Sequence, residues 1–98
     1  MCPTNPEQLG PTGKKILIVD DHPVMRRGLA ALIESEPDFV VCGEAASCAD
    51  ALEAIRQSPP DLVIVDLVLG DDDGLSLIKA MKIRHPEIPS LVLSMHDE

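Results

Sequence analysis

Aromatic side chains are nearly missing. Phe39 stands alone in 98 residues, with no tryptophan and no tyrosine, so the chain offers no platform on which bases could stack. Cations are scarce too: eight Lys and Arg against seventeen Asp and Glu give a formal charge of -9. Phosphate contacts need clustered Lys and Arg, so direct nucleic-acid contact by this segment is not expected. Cys2, Cys42 and Cys48 are odd in number and show neither a C-x-x-C nor a zinc spacing, which speaks against a disulfide framework or a cysteine-held metal. Cys42, inside an apolar run, reads as a small buried residue. No apolar run is long enough to span a bilayer, and the first residues lack the basic region and apolar core of a signal peptide. The expectation is a soluble, cytoplasmic chain with no membrane partner.

What is present suits one small domain, with 45% apolar and 26% charged residues. Residues 1–13 hold three Pro and two Gly without apolar periodicity and read as a flexible leader, so the domain is expected over 14–98. From Lys14 onward, short runs rich in Val and Ile alternate with helical stretches, the pattern of βαβ units around a parallel sheet. Strands are expected at Lys15–Asp20, Phe39–Cys42, Leu62–Val65 and Leu91–Ser94. A helix opening at Pro23 places Met25, Leu29, Leu32 and Ile33 on one face, and a second over Ala49–Gln57 turns Leu52 and Ile55 inward. The polar run Gly70-Asp71-Asp72-Asp73-Gly74 reads as a loop into a third helix carrying Leu77, Ile78 and Met81. The fold class is therefore α/β, a doubly wound parallel sheet.

Acidic residues close two of the apolar runs. Asp20-Asp21 follow Ile16-Leu17-Ile18-Val19, and Asp66 follows Leu62-Val63-Ile64-Val65. If both runs are parallel strands of one sheet, three carboxylates meet at its carboxyl edge, where open α/β sheets place their chemistry. Like charges so close repel, so the site needs a cation or a proton, and a magnesium pocket with one carboxylate left to react is the natural reading. Taken alone, Asp20-Asp21 ahead of a helix is more often an N-cap. The joint pattern carries more weight: an acidic pair after strand one, an Asp after strand three, a Gly eight residues later and a hydroxyl, Ser94, closing strand four. His22, His85 and His96 lie in different loops or helix ends without metal spacing, and surface or packing roles are expected for them.

The segments LIVDDHPVMRRGLAALIE, DLVIVDLVLGDDDG and LVLSMHDE resemble the receiver domain of two-component response regulators over residues 14–98. Asp21 to Leu29 and Ser94 to Glu98 are most similar to the NarL/FixJ subfamily, whose members usually carry a helix-turn-helix DNA-binding output domain. The resemblance implies a flavodoxin-like sheet of order 2-1-3-4-5, here reaching strand four. It implies Asp66 as phosphoacceptor, supplied by a sensor histidine kinase or a small phosphodonor. It also implies Mg²⁺ held by Asp20, Asp21, Asp66 and the backbone carbonyl of Val68, and Ser94 as the switch hydroxyl that turns to the phosphoryl group. Gly70 stands where the family commonly has Pro, and the family's Lys after strand five has no counterpart in these residues. With strand four at an open edge and one sheet face short of cover, self-association is expected.

Rival chemistries fit less well. A haloacid-dehalogenase-type phosphatase wants an acid at Val68, and an EF-hand loop ending at Gly74 wants ligands at Leu69 and Ala80. A dinucleotide site lacks its Gly-rich turn. The remaining alternative is a receiver-like interaction module not controlled by phosphorylation.

Overall fold

The computed structural model describes residues 13–66, 68, 69 and 72–93, with the backbone alone at 68, 69, 72 and 73. The chain runs β1 (Lys14–Val19), α1 (Pro23–Glu34), β2 (Phe39–Ala45), α2 (Cys48–Gln57), β3 (Leu62–Asp66), β4 (Val68–Leu69), β5 (Asp72–Asp73), α3 (Gly74–Arg84) and β6 (Ser90–Leu93). β2, β1, β3 and β6 form one parallel sheet in that spatial order, the doubly wound arrangement expected through its first four strands. The segment read as a polar loop supplies Asp72–Asp73 as β5, which pairs antiparallel with β4 just before it, joining Val68 to Asp73 and Leu69 to Asp72. Asp residues are poor strand formers, so local propensity gave no hint of it.

Strand periodicity sorts the core onto two faces. Leu17, Val19, Val63 and Val65 point one way and pack with Ala51 and Ile55 of α2 and with Leu77 and Met81 of α3. Ile88, in the α3–β6 connection, completes this cluster. Ile16, Ile18 and Ile64 point the other way, against Leu29, Ala30 and Ile33 of α1. Two helices cover the first face and α1 the second, and no residue of α1 is fully buried. Leu32, expected inward, is 68% exposed. The helical period locates a stripe, but the width of that stripe in contact depends on neighbours the period cannot report.

Cys42 is exposed, contrary to expectation. β1 pairs Ile16 with Val41 and Leu17 with Gly43, so Cys42 is the extra residue of a bulge on an edge strand. Gly43 then sits close over Leu17, where an added Cβ would meet Leu17 Cδ1 at 3.4 Å.

Register between β1 and β3 is set at their amino ends. The Asp61 carboxylate accepts from the Lys15 backbone N–H at 2.7 Å, and the Asp61 N–H donates to the Lys15 carbonyl at 2.7 Å. Four residues further on, Val19 lies opposite Val65, and the residues that follow, Asp20 and Asp66, emerge side by side.

Candidate functional site

Both strands deliver their acids to the carboxyl edge by the same means. Each is an apolar run buried on both faces, and each ends in an Asp that remains buried: Asp20 is 1% exposed and Asp66 6%. Such carboxylates persist only with partners. Asp20 Oδ1 accepts from the His22 backbone N–H at 2.8 Å and meets His22 Nδ1 at 2.9 Å. Asp21 Oδ1 lies 3.0 Å and Asp66 Oδ2 3.7 Å from the same nitrogen. One ligand atom from each of Asp20, Asp21, His22 and Asp66 falls within 4.8 Å of all the others. The three sequence-predicted carboxylates thus come together.

Helix capping does not explain them. The N-cap of α1 is His22, whose side chain makes no cap bond, and Pro23 opens the helix. Asp20 binds the chain entering the helix instead of the helix amides. Arg26, which the sequence did not single out, fastens this corner: Nη1 donates to the Asp20 carbonyl at 2.6 Å and Nε to Glu44 Oε1 at 3.0 Å. β1, α1 and β2 are thereby tied together at the site.

His22, expected in a surface or packing role, is exposed and also reaches the acids. It lines the site, and the hydrogen bond to Asp20, followed by the charges of Asp21 and Asp66, holds its imidazole above the ordinary pKa. Its place directly after the acidic pair was the available signal, since a residue two beyond a buried Asp can fold back on it.

A divalent cation fits this donor set. Asp21 Oδ1 is buried and receives no hydrogen bond, because the single Nδ1 hydrogen can be directed at only one of the two oxygens it faces. Carboxylate oxygens with an unsatisfied member are what a hard cation takes. A cavity of about 480 Å³ lined by His22, Val24, Met25, Gly28 and Asp66 opens beside the cluster, leaving Asp66 approachable from outside. Ser94 lies outside the described residues. Val68 contributes its backbone to β4, two residues beyond Asp66.

Comparison with known proteins agrees with this geometry. The response regulator receiver domain family matches residues 16–98. DevR/DosR of Mycobacterium tuberculosis, described as a DNA-binding transcriptional activator, is 37% identical over 82 residues, covering 84% of this chain and 38% of that protein. VraR of Staphylococcus epidermidis, a response regulator protein, is 35% identical over 80 residues, 82% of this chain and 38% of that one. A two-component response regulator of the LuxR family from Aurantimonas superposes with a TM-score of 0.82 at 33% identity, covering 87% of this chain and 61% of that one. RcsB from Salmonella enterica, bound to a promoter in the presence of phosphomimetic BeF3-, gives a TM-score of 0.79 at 27% identity over 87% of this chain and 44% of that one. The chain spans about two fifths of the length of the curated relatives it matches. With the sheet order, the acid cluster and the family match in agreement, the chain belongs to the response regulator receiver domain family and is closely related to the NarL/FixJ-type regulators.

Proposed function

We propose that the chain is a phosphoacceptor receiver unit over residues 14–98. In this reading Asp66 takes a phosphoryl group from the phosphohistidine of a sensor histidine kinase or from a small phosphodonor. Uptake then switches a DNA-binding output domain of the full-length protein, in the cytoplasm. The observation that carries the reading is Asp66 itself: a buried carboxylate at the end of a central strand, open to one cavity and within ligand distance of two more acids. DevR/DosR and RcsB, named for DNA-related roles, support the output assignment. Among the described residues no helix is long and apolar enough to cross a membrane.

Asp20, Asp21, Asp66 and the Val68 carbonyl would hold Mg²⁺, which when bound neutralises the charge on the phosphoryl oxygens. The Asp66 oxygen attacks phosphorus in line, an O–P bond forms as the donor's N–P bond breaks, and the imidazole leaves with its electron pair. Asp20, locked by His22 and Arg26, keeps the carboxyl edge rigid while this happens. Ser94 supplies the hydroxyl that turns to the new phosphoryl group and couples it to output.

Incubation with an acyl phosphate donor and Mg²⁺ is expected to add one phosphate, at Asp66. The mark should vanish in mild base, since an acyl phosphate hydrolyses where a phosphoserine largely survives. Ser94→Ala should retain the mark while weakening its effect on output. A base-stable phosphate on Ser94, or no phosphate on the intact protein, sinks the assignment and favours the contact-only module.

Self-association belongs to the same reading. β6 is the outer strand of the sheet as described, Leu91 and Val92 on it are exposed, and Val24 and Leu32 stand out from α1. An edge strand with apolar side chains is a template for pairing. Sedimentation at tens of micromolar should show a species heavier than the monomer; a monomer with a cooperative melt would count against it.

A further inference from the structure

β2 carries one residue more than β1 along their shared edge. Val41 pairs with Ile16 and Gly43 with Leu17, so Cys42 bulges out and every later residue of β2 is displaced by one position. Paired residues of neighbouring strands share a face, and a shift of one residue exchanges the two faces. Without the bulge Glu44 would pair with Val19, on the face covered by α2 and α3. With it, Glu44 pairs with Ile18, on the face covered by α1. There Glu44 Oε1 accepts from Arg26 Nε at 3.0 Å, and Arg26 Nη1 donates to the Asp20 carbonyl at 2.6 Å. That carbonyl belongs to the planar peptide joining Asp20 to Asp21, so its direction sets the plane from which Asp21 departs. The Asp20 N–H donates to the Ala45 carbonyl at 2.9 Å. Both backbone groups of Asp20 are therefore held from β2, one directly and one through Arg26.

We propose that Arg26 and Glu44 are positioning residues for phosphoryl transfer at Asp66: Arg26 fixes the peptide between Asp20 and Asp21 so that the Asp21 carboxylate faces the site, and Glu44, aimed by the bulge, fixes Arg26. The inference rests on the reading of Asp66 as phosphoacceptor with Asp20 and Asp21 as cation ligands. Neither positioning residue touches the phosphoryl group. A mere brace between β2 and α1 needs only the ion pair of Arg26 with Glu44. It leaves unexplained the second arm of the guanidinium, directed at a backbone carbonyl between two of the site acids. The Arg26 side chain is only 21% exposed, so this is not a pair dissolved in water. Arginine suits the task because its planar fork serves two acceptors at fixed angles, which a single ammonium cannot do.

Rates of Asp66 phosphorylation by acetyl phosphate across a Mg²⁺ titration test the proposal. The full chain is compared with Arg26→Met, Arg26→Lys, Glu44→Ala and a variant carrying both Arg26→Met and Glu44→Ala. Losing a hydrogen bond from a charged donor is expected to raise the half-saturating Mg²⁺ concentration of Arg26→Met about tenfold, with a smaller change in the rate at saturation. Glu44→Ala leaves the guanidinium present but loose and should raise it about threefold. Arg26→Lys should recover part of the loss. Because Glu44 acts through Arg26, the double variant should match Arg26→Met alone. In the metal-free chain the Asp21 backbone N–H signal should move in the variants in the same order of size. Melting curves accompany the titrations, which are run well below the lowest midpoint so that lost stability alone changes no affinity. If Arg26→Met does not melt cooperatively, Glu44→Ala on its edge strand decides by itself. Parent-like Mg²⁺ dependence in folded variants, or losses that add in the double variant, would overturn the positioning role and leave the phosphoacceptor reading standing. A parent that takes up no phosphoryl group would remove that reading and this inference with it.

Discussion

Replacing Asp66 by Asn is expected to abolish phosphoryl uptake, raise the metal-free melting temperature and flatten its response to Mg²⁺. The substitution keeps the shape of the side chain and removes one charge from a cluster of three. At an effective dielectric near 20, two carboxylates about 4 Å apart disfavour each other by roughly 4 kcal/mol before screening. His22 already offsets part of that repulsion, lying within 3.7 Å of all three acids. A gain of about 1 kcal/mol is therefore the reasonable expectation, which in a domain of this size moves melting by roughly 4 to 8 °C. In the parent, a cation at a hundredfold excess over its Kd adds about 2.7 kcal/mol, and the variant should keep little of this. Melting curves of both chains with and without millimolar Mg²⁺ are the measurement. A parent indifferent to Mg²⁺ would mean that the carboxylates do not form a cation pocket.

Ile55→Ala should cost about 2 to 5 kcal/mol, whereas Leu32→Ala should stay within roughly 0.5 kcal/mol. Ile55 is fully buried on α2, in the cluster shared with α3, so its loss leaves a cavity. Leu32 is mostly exposed on α1, and little fills the space around it. Total stability for a chain of this size is on the order of 5 to 15 kcal/mol, so the first variant sits close to unfolding. Denaturant midpoints at unchanged slope would measure both. Equal losses would contradict the unequal covering of the two sheet faces.

That pair of residues also shows what sequence could and could not convey. Both are apolar, on helical stripes, and read as inward. The strands were legible because a strand buried on both faces is a continuous apolar run, and their acids were legible because a charge ending such a run has few reasons to be there. How thickly each face is covered is set by elements distant in sequence, which is why Leu32 was misplaced. Cys42 was misplaced because a bulge is a property of two paired strands. The carboxylates of the site were found from their spacing, but the orientation of His22 was not, since it depends on hydrogen bonds to Asp20 that no spacing reports.

The paired bonds between Asp61 and Lys15 have a consequence for how the chain can change over time. They fix the alignment of β1 with β3 at the end far from the acids, so the site is built by counting residues along two strands. Insertions in the turn after α2 leave that count intact and should be tolerated. Deletion of one residue within β3 would turn every later side chain in the strand to the opposite face, carrying Asp66 away from Asp20 and Asp21 while barely altering composition. Lineages of this domain should accept length variation between elements and almost none between Lys15 and Asp20 or between Asp61 and Asp66.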